Sequence, residues 1–156
     1  MKALRRLLRR APRLFVLLYS PDDRELGELG EEVAASHLAR RGWRILARRW
    51  RTRRGEADLV ARRGDELAVV EVKTGRWTAL PRPRGAELPE GALFRWRPGF
   101  RCDAARIARL RAVGRELAGR RPARVDLVEV WLSASGRSFR ILHHEDLRAP
   151  LDPGST

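Results

Sequence analysis

Two runs joined by a short turn constrain this chain more than any other feature. Glu56–Ala61 and Leu67–Lys73, the latter reading LAVVEVK, flank Arg62-Arg63-Gly64-Asp65. Apolar-rich segments of this length around a Gly-Asp turn predict two antiparallel strands joined by a hairpin. Side chains alternate along a strand, so Glu71 and Lys73 share one face while Val70 and Val72 share the other. With the turn at 62–65, Asp58 lies almost opposite Glu71. Two carboxylates and an amine therefore converge on one patch of sheet.

The flanking segments extend this hairpin into a domain. Trp43–Trp50 predicts a preceding strand, ended by the turn Arg51-Thr52-Arg53-Arg54-Gly55. Residues 24–41 predict a helix, with Leu26, Leu29, Gly30, Val33, Ala34 and Leu38 on one side. Asp22 and Asp23 are N-cap candidates and Gly42 is a stop. Glu28 and Glu32 point away from the apolar stripe, whereas Glu31 lies at its edge. Residues 103–118 predict a second helix, followed by strands at Val125–Leu132 and Phe139–His143. Between Lys73 and the second helix, residues 74–101 carry four prolines, four glycines and the aromatics Trp77, Phe94, Trp96 and Phe100. Loops this long tend to be functional or disordered. The order α-β-β-β-α-β-β predicts one α/β domain over 22–147, a mixed sheet flanked by helices. Residues 1–21 form a basic arm, expected to be poorly ordered, and 148–156 a loose tail. No internal repeat is present.

Composition narrows the function. A chain of 156 residues, 43% apolar, can build a core without staples. The single cysteine, Cys102, excludes an intramolecular disulfide and a cysteine-based zinc cluster. Cys102 lies between Arg101 and Asp103, a setting for modest reactivity, but nothing pairs with it. No apolar run approaches the roughly 18 residues of a membrane span. The apolar stretch of the arm, Leu14–Tyr19, is short and lacks a cleavage pattern, so a signal peptide is not expected.

The net charge of +14, from 34 basic and 20 acidic side chains, favours a polyanionic partner, nucleic acid before membrane. Only Lys2 and Lys73 among the basic residues are lysines. The chain has neither Asn nor Gln, the usual bidentate readers of adenine, so backbone and shape are the expected targets. Arginines cluster at 40–54 and 101–124, where a phosphate track would give steep salt dependence. Part of the arginine excess follows GC-rich coding, which also makes a plain solvated surface a real alternative.

The chemistry centres on Asp58, Glu71 and Lys73. Two like charges side by side are costly unless a cation lies between them. Carboxylates with open positions suit Mg²⁺ or Mn²⁺, and such an ion activates water and stabilises charge on a phosphoryl oxygen. Lys73 would position the water or neutralise the phosphate. A lysine in so arginine-dominated a chain points to a site that needs an amine. The bland alternative is an exposed cross-strand ion pair, for which these strands are too apolar. His143 and His144 are too isolated for a metal site and are expected to end a strand.

The runs GELGEEVAASHLARRGW, GEADLVARRGDELAVVEVK and RVDLVEV resemble the bacterial YraN family of predicted endonucleases. That family is similar to the restriction-endonuclease-like PD-(D/E)xK nucleases, archaeal Holliday-junction resolvases in particular. The resemblance covers roughly residues 25–73 and 103–132, and its three motifs in order are fairly specific. It implies a restriction-endonuclease-like fold. It puts Asp58, Glu71 and Lys73 at the nuclease-core positions and makes Glu31 the helix glutamate that completes a metal site with Asp58 and Glu71. Glu56 belongs to the motif and, beside a turn, reads as solvated. The family's lysine at the start of the second helix is missing from Asp103-Ala104-Ala105-Arg106, where Arg106 is the nearest substitute. The long loop and the arm are also departures.

The expectation is a metal-dependent endonuclease acting on DNA, with branched structures among its substrates. Arg51, Arg53, Arg54, Arg76, Arg106 and Arg109 are the expected nucleic-acid contacts. The alternative is a non-catalytic nucleic-acid-binding protein on the same fold. A weaker third class is a membrane-surface protein that uses the arm. A cytoplasmic location is expected, and a homodimer would suit a four-way junction, which needs two cuts.

Overall fold

The computed structural model describes residues 11, 12, 14, 15, 21–77, 102–118, 123–133 and 138–150. Helix α1 (Asp23–Arg40) opens the domain, followed by β1 (Arg44–Thr52), β2 (Gly55–Arg63) and β3 (Glu66–Trp77). Helix α2 (Ala104–Ala118), β4 (Arg124–Ser133) and β5 (Phe139–His144) complete it. The five strands lie in sequence order in one sheet, with β3 at its centre. Only the β3–β4 pair is parallel, so the sheet is mixed and the chain crosses over through α2 between those two strands.

Local chemistry accounts for the element ends. Asp22 caps α1 by accepting the Glu25 backbone N–H at 2.8 Å, and Glu25 returns the bond to the Asp22 N–H at 3.2 Å. This reciprocal cap satisfies two of the helix's orphan donors. Asp103 accepts the Arg106 N–H at 2.7 Å at the start of α2. The β2–β3 turn is the two-residue Gly64-Asp65, with Gly64 at φ +56°. Tight hairpins need that left-handed geometry, which glycine adopts freely.

Strand alternation puts two cores on opposite faces. Val33, Ala34 and Leu38 of α1 pack with Trp43, Leu59, Val70, Val72, Val128 and Val130. Ile107, Leu110 and Val113 of α2 pack with Val60, Val69, Val125 and Leu127 on the other face.

The expected element order holds throughout, with shifts at the ends. The first strand runs two residues past Trp50, to Thr52, which shortens the arginine-rich turn to Arg53-Arg54. β3 runs four residues past Lys73, because Thr74–Trp77 continue the parallel ladder with Val130–Ser133. Those four residues were expected in the loop. The remainder of that loop, with Phe94, Trp96 and Phe100, the tail from 151 and most of the arm lie outside the described residues. Within the arm, Phe15 is fully buried. No helix among the described residues is long and apolar enough to cross a membrane.

Candidate active site

The site forms where β2 parts from β3. Their ladder ends at Leu59↔Val70, one residue short of Asp58 and Glu71. Asp58 uses its side chain where a ladder bond would come next, and its Oδ2 accepts the Val72 backbone N–H at 2.7 Å. The sequence-derived register, Asp58 nearly opposite Glu71, matches this pairing.

Glu71 is 1% exposed. A buried carboxylate needs compensation, and cations occupy both of its oxygens. Lys73 Nζ lies 2.6 Å from Oε1. Arg106 donates to Oε2 through Nη2 at 2.5 Å and Nε at 2.9 Å. Arg106, expected on the phosphate track and as a stand-in for a lysine at the head of the second helix, thus reaches across from α2 into the acid patch. Among the described residues no cation pairs directly with Asp58, and Arg106 acts on it only through its charge. Burial pushes the Asp58 pKa up to about 6, and the Glu71 charge adds to this, against the Val72 hydrogen bond.

Glu31 lies on α1 and is held by Arg49 of β1, whose Nε and Nη2 both donate to its oxygens at 3.0 Å. Its charge still helps to raise Asp58. Glu56 accepts from Arg51 Nε at 2.7 Å across the β1–β2 pair, on an exposed surface, as a solvated motif residue would. Arg53, Arg54 and Arg109 are exposed, and the Gly55 backbone brings that turn against Arg109 of α2. Arg76 donates to the Pro21 carbonyl. Hard oxygen donors at Asp58 and Glu71 fit Mg²⁺ or Mn²⁺ in kind. Among the described residues, no three His, Cys, Asp or Glu side chains gather closely enough to hold a metal ion. The fit is that of a two-carboxylate site with Glu31 beside it.

Several participants were not singled out from sequence. Arg49 adopts φ +49°, a left-handed conformation uncommon outside glycine, between the pairs Arg48↔Leu59 and Trp50↔Ala57, level with Asp58. Glu129 is fully buried on β4 in register with Lys73, and its Oε1 lies 2.7 Å from His144 Nε2. Asp126 is also fully buried, and it meets His143 at 2.8 Å and Arg124 at 2.9 Å. The signal was two acids inside the apolar run VDLVEV, opposite a strand ending in two histidines. Cys102 is buried, and burial with the nearby Glu71 charge pushes its thiol up to about 11. The modest reactivity expected of it is therefore corrected: the thiol stays protonated and covered.

A five-stranded mixed sheet between two helices, with Asp-Glu-x-Lys chemistry where β2 and β3 separate, defines a restriction-endonuclease-like α/β protein. The sequence model of the uncharacterised protein family UPF0102 matches residues 30–130. A UPF0102 protein of Porphyromonas gingivalis is 38% identical over 125 residues, which is 80% of this chain and 84% of that protein. One from Chloroflexus aurantiacus is 59% identical over 51 residues, 33% of this chain and 42% of its own length. One from Syntrophomonas wolfei is 48% identical over 67 residues, 43% and 58% of the two chains. In these last two the match spans about half of the relative. The chain belongs to the UPF0102 family, the YraN endonuclease-like family.

Proposed function

We propose that this protein is a metal-dependent endonuclease that hydrolyses phosphodiester bonds in DNA. The observation that carries the reading is the convergence of Asp58 and Glu71, two adjacent carboxylates, with Lys73 and Arg106 at one end of the sheet. A surface salt bridge has no need of a fully buried glutamate beside a second, protonation-prone acid.

Asp58 and Glu71 would hold Mg²⁺ or Mn²⁺, with Glu31 as the further carboxylate once Arg49 releases it. A divalent ion there supplies Lewis acidity at a phosphoryl oxygen and lowers the pKa of water. The chain's own groups do the rest. Lys73 orients the attacking water or offsets charge on the phosphate. Arg106 exchanges Glu71 for a phosphate oxygen. The exposed Arg51, Arg53, Arg54 and Arg109 hold the DNA backbone on either side, and Arg76 does so further along β3. The reading goes with a cytoplasmic location and a homodimer, which would make the two cuts of a branched junction.

One observation favours a non-catalytic nucleic-acid-binding protein instead. Glu71 is already neutralised by two cations and Glu31 by a third, so the fold balances its acids without an ion. The deciding experiment is cleavage of labelled four-way junction, flap, duplex, single-stranded DNA and RNA, with Mg²⁺, Mn²⁺ or EDTA. Metal-dependent cutting lost in Asp58→Ala and Glu71→Ala is expected, with rate losses of at least about 100-fold. Binding without cutting in every metal leaves the non-catalytic reading.

A further inference from the structure

We infer that Trp50 is a stacking platform for an unpaired nucleobase, so that the preferred substrate carries unstacked nucleotides beside the cleaved bond. This rests on the nuclease reading and names its substrate class.

Trp50 is 42% exposed, whereas Trp43 and Trp131 are buried. Single exposed apolar side chains are common on monomers, so exposure alone decides nothing. Position decides more. Trp50 pairs with Ala57, the residue before Asp58, on the outermost strand of the sheet. Strand geometry then puts the Trp50 and Asp58 Cα atoms roughly 6–7 Å apart. The indole makes no hydrogen bond and no ring or cation contact among the described residues. Three residues on, Arg53 and Arg54 are exposed in the β1–β2 turn, and their guanidinium groups have no partner among the described residues. An open aromatic face on the β1 edge and unengaged cations in the β1–β2 turn therefore lie one strand away from the acid patch of β2 and β3.

The charge complements a polyanion, and the ring supplies what phosphate contacts lack. Every base has a π-face, so stacking tolerates any sequence. That suits a chain without Asn or Gln to read base edges. Bases inside a duplex already have both faces stacked. Only a flap, a fork, a junction centre or a single strand offers a free face to an indole.

The test is equilibrium binding by the full chain, with EDTA to prevent cutting, at fixed salt. The probes are a blunt duplex, the same duplex with a single-stranded flap, and a single strand. Wild type should favour the flap and the single strand. Trp50→Ala should weaken those two by about 5- to 150-fold while leaving the blunt duplex unchanged. Trp50→Phe should retain most of the preference, and the tryptophan quenching expected of wild type on single strand should be reduced in it. Nucleic-acid binding without a flap preference, or one untouched by Trp50→Ala, overturns the stacking inference and leaves the nuclease reading intact. Absence of binding to any probe overturns the nuclease reading, and the inference with it.

Discussion

At Asp58 opposing influences meet: burial, then the Glu71 and Glu31 charges, resist its ionisation, while the Val72 backbone N–H and the Arg106 charge favour it. Resistance prevails, and the carboxyl's pKa rises from 3.8 to about 6. A proton is then held more tightly by the folded chain than by the unfolded one, so this group's contribution to stability falls as pH rises through that window. His37 has the opposite sign. Burial, then Arg41 and His143, hold it at about 4, below its ordinary 6.5, so its contribution is lost as pH falls from 6.5 towards 4. Asp58→Asn keeps an oxygen for the Val72 N–H and removes the charge. It should stabilise the protein at pH 7.5 by roughly 1–2 kcal/mol while abolishing cutting. It should also unmask the rise of stability with pH that His37 supplies. Urea midpoints between pH 4 and 8 check this; a variant no more stable than wild type at pH 7.5 contradicts the raised pKa.

At the level of elements, α1 approaches β3 closely, and a missing side chain permits it. A Cβ at Gly30 would stand 1.8 Å from Thr74 Oγ1 and 2.9 Å from Thr74 Cβ. This close approach brings the next helical residue, Glu31, alongside Arg49 and within electrostatic reach of Asp58. Gly30→Ala would force the helix off the sheet, at a cost of about 1–3 kcal/mol. Thr74→Ala should return part of that loss in the double variant, read as a coupling energy from thermal unfolding. Additive losses would mean that the two residues do not share this contact. In the β1–β2 turn the need for glycine is conformational instead: Gly55 has φ +147°, and a Cβ there would meet Arg109 only at an ordinary 3.7 Å.

For the whole molecule, the charge of +14 is spread unevenly. At the acid patch, Lys73, Arg106 and Arg49 answer buried or half-buried carboxylates, while Arg53 and Arg54 answer none among the described residues. The first group balances the fold; the second is available to phosphate. Arg53→Ala/Arg54→Ala should therefore reduce the slope of log affinity against log salt by about two, weakening all probes alike. An unchanged slope, measured by titration across salt, would mean that these arginines only solvate the surface.

The order of helices and strands, the caps of α1 and the Asp58–Glu71–Lys73 patch were legible in the sequence. Periodicity, turn residues and strand alternation are local rules, and the hairpin turn links both sides of the patch over a short span. Other features depended on partners distant in the chain. β3 runs on to Trp77 because β4 lies beside it, about 55 residues later. Arg106 reaches Glu71 and Arg49 reaches Glu31 because the helices pack on opposite faces of the sheet. Asp126 and Glu129 are buried against histidines of the neighbouring strand. Sequence alone determined which candidate groups converge and which elements hold them. Only the tertiary structure decided which cation answers each acid, because burial and charge pairing are set by side chains that meet across the fold.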